Sequence, residues 1–98
     1  MYLRIHESPK GRIVAVCDED LIGKVLEGKD IVMDLDRYRS FYVGGKAGPG
    51  EVKDALGSFS SANIVGKESV ATAIGIGLAG KNDVMYINKT PYIQIYRL

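Results

Sequence analysis

"RIVAVCDEDLIGK", residues 12–24, decides the fold, because in it a continuous apolar run ends on the chain's one cysteine and meets three acids in a row. The run from Arg12 to Cys17 is rich in β-branched residues, the composition of a strand. Upstream, Tyr2, Arg4 and His6 alternate with Leu3 and Ile5, and "SPKG", residues 8–11, supplies turn chemistry between the two runs. Together they predict a β-hairpin. Downstream, Asp18 carries the kind of side chain that accepts a hydrogen bond from an orphan N–H at a helix start. Glu19 and Asp20 suit the positive end of a helix. A short helix is therefore predicted through Leu21, Ile22, Val25 and Leu26 to Gly28, with Asp18 as its cap.

The remaining pattern alternates strands and helices. "DIVMDL", residues 30–35, reads as a strand with Ile31, Met33 and Leu35 on one face and Val32 and Asp34 on the other, and "RSFYV", residues 39–43, extends or follows it. "GGKAGPG", residues 44–50, has the composition of a mobile loop, and Pro49 leads into a helix with Val52, Leu56 and Phe59 facing inward. "SANIVG", residues 61–66, is a short strand or an extended connection. "KESVATAIGIGLAG", residues 67–80, predicts a helix with Val70, Ala73, Ile74 and Leu78 on one face, ended by Gly80. "VMYIN" and "YIQIYRL" then form a closing hairpin with Pro91 at its turn. The fold class is α+β: a mixed, mainly antiparallel sheet with two or three helices packed mostly on one face, in a single domain over residues 1–98.

Composition excludes several functions. Thirteen Lys and Arg against twelve Asp and Glu leave a formal charge of +1, so nucleic-acid binding would have to come from a local patch. One cysteine closes no internal disulfide, and "MYLRIHESPK" lacks the apolar stretch of a signal peptide, so the expected location is the cytoplasm. The longest weakly polar stretch begins at Val70 and falls well short of the roughly 20 residues of a membrane span. No membrane partner is expected.

Several motifs suggest chemistry. "GIGLAG", residues 75–80, matches the dinucleotide fingerprint literally, but its glycines end a helical pattern instead of opening one, and the ribose-binding acid about 20 residues on would fall past Leu98. Nucleotide binding is not expected, and no cofactor is implied. "GGKAGPGE" offers glycines and Lys46 but lacks the Lys-Ser/Thr pair of a phosphate loop. "RYRSFY", residues 37–42, interleaves Arg37 and Arg39 with Tyr38, Phe41 and Tyr42, a mixture suited to phosphate contact and base stacking. The better reading of the stretch by itself is an edge strand with arginines in water and aromatics in the core. With one histidine and one cysteine, no metal-ligand set is spaced for zinc, and no metal is expected. Cys17 and His6 on the first hairpin are the one arrangement that would lower a thiol pKa. Alternation nevertheless places Cys17 beside Ile13 and Ala15, as a buried structural residue.

"VAVCDEDLIGK", "ANIVG" before an alanine-rich helix ending "AIGIGLAG", and the closing "PYIQI" stand in the order seen in a small archaeal family, domain of unknown function 424, which the chain resembles over nearly its whole length. The resemblance implies an archaeal cytoplasmic protein with no established activity. It singles out Cys17 and Asp18, Leu21, Gly23 and Lys24, Asn63 to Gly66, and Pro91 with Gln94. The family pattern carries a histidine after the proline where this chain has Tyr92, which leaves His6 as the sole imidazole base.

Three functional readings follow. The leading one is a non-catalytic interaction module contacting RNA or a ribonucleoprotein through Arg37, Arg39, Lys46 and nearby aromatics. The second is an enzyme or small-ligand binder with Cys17, Asp18, Asn63 and Gln94 around a cleft, and His6 in reserve as a base. The third is a protein-binding or homo-oligomeric module that uses Tyr86, Tyr92 and Tyr96.

Overall fold

In the computed structural model, which describes residues 1–97, β1 (Tyr2–Ser8) and β2 (Gly11–Cys17) form the predicted hairpin, Tyr2 opposite Cys17 and Ser8 opposite Gly11. Gly11 has φ +135°, and a Cβ there would overlap the Ser60 side chain, so the turn requires glycine. β2 then runs parallel to β6 (Ser61–Val65), with Ile13 opposite Ser61 and Cys17 opposite Val65. β8 (Thr90–Tyr96) pairs antiparallel with β6 and with β7 (Met85–Ile87). The two-residue β5 (Gly45–Lys46) borders β1 opposite Tyr2 and Leu3, giving the order β5-β1-β2-β6-β8-β7. The sheet is therefore mixed and mainly antiparallel. Its single parallel pair sets the C-terminal ends of β2 and β6 side by side.

Because strand side chains alternate, each strand contributes to two cores. One face carries Val14, Val16, Ala62, Ile64 and Ile93. They pack against α2 (Pro49–Ala55) through Val52 and Ala55, and against α3 (Lys67–Gly75) through Val70 and Ala73. The opposite face carries Ala15, Cys17, Val65, Ile87 and Tyr92. It is covered by a flap built from a separate hairpin, β3 (Val25–Glu27) and β4 (Val32–Asp34), and the single-turn α1 (Arg39–Tyr42). Leu35, Tyr42 and Met33 are the flap's contribution to that second core. The two longer helices share one face, and the flap closes the other.

Local chemistry accounts for the helix ends. Pro49 stands in the first turn of α2, where its missing N–H costs nothing, and Glu51 reaches back to accept from the Gly48 N–H at 3.3 Å. α3 stops at Gly75 because Gly77 turns left-handed at φ +80°. The Gly77 N–H then donates to Ile74 C=O at 3.0 Å and the Leu78 N–H to Ala73 C=O at 3.1 Å, the paired bonds of a Schellman motif. Gly77 thus terminates the helix, which is shorter than the 67–80 reading: Leu78 lies beyond it, and Gly80 precedes the next 3-10 turn instead of ending α3.

Five further local expectations are corrected. The segment 21–28 is not a helix: a single 3-10 turn spans Glu19–Leu21, Gly23 takes φ +93°, and β3 follows. The strand read at 30–35 shortens to β4 and pairs with β3 outside the main sheet. Residues 39–43, read as its extension, and 37–42, read as an edge strand, instead contain the helical turn α1. Residues 44–50 are not a free loop, since Gly45 and Lys46 pair with β1 and Pro49 opens α2. In the closing hairpin the turn is Asn88-Lys89, with Asn88 at φ +58°, while Pro91 lies within β8 opposite Tyr86.

Candidate functional site

The juxtaposed ends of β2 and β6 determine what the Cys-Asp pair does. Asp18 follows β2, and its backbone N–H donates to Val65 C=O at 3.0 Å. Its carboxylate turns to the start of α3, where Oδ1 accepts from the Ser69 N–H at 2.8 Å and the Ser69 hydroxyl at 2.7 Å, and Oδ2 accepts from the Glu68 N–H at 3.1 Å. Asp18 is a helix cap, as its type suggested, but for α3 and not for the turn that follows it. That turn receives no side-chain cap bond. The place at the α3 N-terminus where an exogenous anion would sit is filled by the chain's own carboxylate. Gly66, at φ +109°, is the residue that lets the carboxylate in, because a Cβ there would overlap it.

Cys17 is fully buried between the sheet and the flap, and its Sγ–H lies 3.4 Å from Asp18 C=O. Burial, reinforced by the Asp18 and Asp20 charges, pushes the thiol up to about 12. The neutral thiol is a poor nucleophile, and the chain's one imidazole is not beside it. His6 pairs with Ile13, four residues from Cys17 along β2, or about 13 Å at 3.3 Å per residue. Its Nε2–H donates to Phe41 C=O at 2.8 Å, and its ring stacks on Phe41 with centroids 4.8 Å apart. His6 fastens α1 to the sheet, assisted by Arg4, whose guanidinium donates to Ser40 C=O.

The other nominated residues divide into separate places. Asn63 and Gln94 are direct cross-strand partners on β6 and β8, their side-chain amides 3.4 Å apart, on the same sheet face as Cys17 but outside the flap core. With Asp18 turned onto α3 and Cys17 sealed, these four do not line a common cleft. Arg39 is tied to Asp36 at 2.6 Å, and Lys46, on β5, to Glu19 at 3.1 Å. Arg37 has no carboxylate partner among the described residues and lies over the Tyr38 ring at 5.5 Å. Of the three tyrosines assigned to an interface, Tyr86 and Tyr96 are exposed, whereas Tyr92 belongs to the core. Among the described residues no group of three or more His, Cys, Asp or Glu could hold a metal, and no helix is long and apolar enough to cross a membrane.

The feature that does gather nominated residues is a groove of about 470 Å³ between β4 and α1, with Val32, Met33, Arg37, Tyr38 and Phe41 in its walls and the buried Tyr42 at its floor. Burial, with Cys17 close by, pushes the Tyr42 phenol up to about 12. Val32 is 63% exposed and Tyr38 57%, and Val25 and Ile31 on the same flap are also exposed. Sequence reading found Arg37 and Tyr38 but missed Val32. Its signal was present: an apolar residue beside Asp34 on the outward face of a predicted strand.

A family model described as "Protein of unknown function (DUF424)" matches residues 6–98. A solved crystal structure, that of an uncharacterized conserved protein from Methanopyrus kandleri, is similar with a TM-score of 0.82 at 24% identity, over 97% of this chain and 89% of that one. At that identity the likeness concerns the fold. No curated protein matches the chain.

Proposed function

The chain belongs to this family of unknown function, and from that premise we propose that it is a non-catalytic interaction module that holds an apolar, uncharged segment of a protein partner in the β4–α1 groove. The observation that carries the reading is the groove's own lining, where Val32 and Tyr38 remain in water beside Met33 and Phe41, on a flap that also exposes Val25 and Ile31. Side chains of this kind, clustered and unburied, are characteristic of docking surfaces. Charge selects the occupant. Residues 24–39 contain Lys24, Lys29, Arg37 and Arg39 against Glu27, Asp30, Asp34 and Asp36, so the region is neutral and offers no general attraction to a phosphate backbone. The non-catalytic part is supported by the engagement of Cys17, Asp18 and His6 with partners inside the fold.

The test is an NMR titration of isotope-labelled protein with a neutral Ser/Leu amphipathic peptide and, separately, with an oligouridylate. Expected is a saturable shift of residues 25–42 by the peptide, abolished by Val32→Asp. An oligouridylate that shifts the same residues, with affinity falling steeply in salt and lost in an Arg37, Arg39, Lys46→Ala variant, would overturn the protein reading in favour of RNA. No response to either probe, or a wild type that self-associates through this groove, overturns it as well.

A further inference from the structure

On the opposite side of the sheet, α3 and the closing hairpin leave a second cleft, of about 440 Å³, which plays no part in the reading above. Its apolar wall comes from Ile74 on α3 together with Val84 and Pro91, and Tyr86 stands at the rim 65% exposed. Lys67, the first residue of α3, and Lys81, in the 3-10 turn that follows the helix, complete the lining. The lining contains no acid. Neither lysine has an ion-pair partner among the described residues, in a chain whose formal charge is only +1. Of the neighbouring acids, Glu68, next to Lys67 in the chain, is exposed and is not part of the lining, and Asp83 is already engaged, its Oδ2 accepting from the Gly80 N–H at 2.8 Å.

We infer that this cleft is a docking site for an acidic amphipathic segment of a protein partner, whose apolar side chains fill the space along Ile74, Val84 and Pro91 while two carboxylates meet Lys67 and Lys81. Electrostatic complementarity of this kind governs which partner docks and how fast, and an exposed tyrosine at the rim supplies contact area at small entropic cost. To a nucleobase the cleft offers one aromatic ring, Tyr86 at the rim, against a lining otherwise made of aliphatic side chains and two lysines. A continuous segment with both apolar and acidic side chains fits the whole lining.

The site is tested by titrating labelled protein with an amphipathic Glu/Leu peptide and its Lys/Leu counterpart at about 50 and 300 mM salt. The Glu peptide should shift Lys67, Ile74, Lys81 and Tyr86 and bind at least tenfold more tightly than the Lys peptide, more weakly at the higher salt. Lys67→Glu with Lys81→Glu, both on the surface, should reverse the preference at an unchanged melting temperature, and Val32→Asp in the first groove should have no effect. Equal affinity for the two peptides, an unchanged preference in the double variant, shifts confined to residues 25–42, or tighter binding of an oligouridylate in this cleft would each overturn the assignment. A loss seen only with Val32→Asp concerns the first groove alone.

Discussion

Asp18 and Ser69, 51 residues apart in the chain, share two hydrogen bonds to one carboxylate oxygen, from the Ser69 amide at 2.8 Å and from its hydroxyl at 2.7 Å. This contact joins the end of β2 to the start of α3, and it exists because β2 and β6 run parallel and finish together. Its removal leaves buried donors without partners. Asp18→Ala should destabilise the fold by about 2 kcal/mol, more than a solvent-exposed cap, because Ser69 is fully buried. Asp18→Asn, which keeps one acceptor oxygen, should cost less. Chemical denaturation measures both, and a midpoint that does not move for Asp18→Ala would show that the cap contributes nothing.

Gly66 is bound to the same contact. Gly66→Ala meets two penalties at once, a left-handed φ of +109° and a Cβ overlapping the Asp18 carboxylate, and should cost about 2 kcal/mol or more. Gly50, in the first turn of α2 with open space around it, is the control: Gly50→Ala should be neutral or stabilising by up to about 1 kcal/mol. Equal effects at the two positions would refute the account of Gly66.

The two acids of the flap core predict an alkaline limit to stability. Cys17 and Tyr42, ordinarily near 9 and 10, are both pushed up to about 12, so the fold favours their neutral forms. Above the ordinary values the unfolded chain releases protons that the folded chain retains. Their contribution is therefore complete below about pH 9 and declines as pH rises towards 12. Denaturation midpoints should fall over that window, and Cys17→Ala should flatten the first part of the fall. A thiol reagent at neutral pH should leave the native protein unlabelled. Rapid labelling would mean that the thiol is accessible and that the alkaline argument fails with it.

Exposed and buried apolar residues of the flap should separate cleanly. Leu35→Ala, at 1% exposure, should cost about 3 kcal/mol. Val32→Ser and Tyr38→Ser should each move stability by less than about 0.5 kcal/mol, since neither side chain is needed to close the core. Thermal melts of the three variants check this. A large loss from Val32→Ser would make that residue a structural one and weaken the docking surface.

What the amino-acid sequence determined by itself was whatever rests on neighbours along the chain. The alternation in Tyr2–Ser8 and the apolar run to Cys17 define a hairpin, and Pro49 marks one helix start, whereas the end of α3 was read at Gly80 and falls at Gly75. The burial of Cys17 was legible from its place in the run, and the capping role of Asp18 from its type. Which helix Asp18 caps was decided only in the tertiary structure, because the recipient lies across a parallel strand pair that no local pattern encodes. The same holds for residues 21–28. Leu21, Ile22, Val25 and Leu26 fit a helical stripe as well as a bent strand, and the choice fell to strand because β4 was available to pair with β3 and Cys17, Val65 and Tyr92 needed a cover. Both grooves arise in the same way, from the seating of the flap on one face of the sheet and of α3 on the other. A groove is a property of the space between elements, and that space is created only when distant apolar faces are buried together.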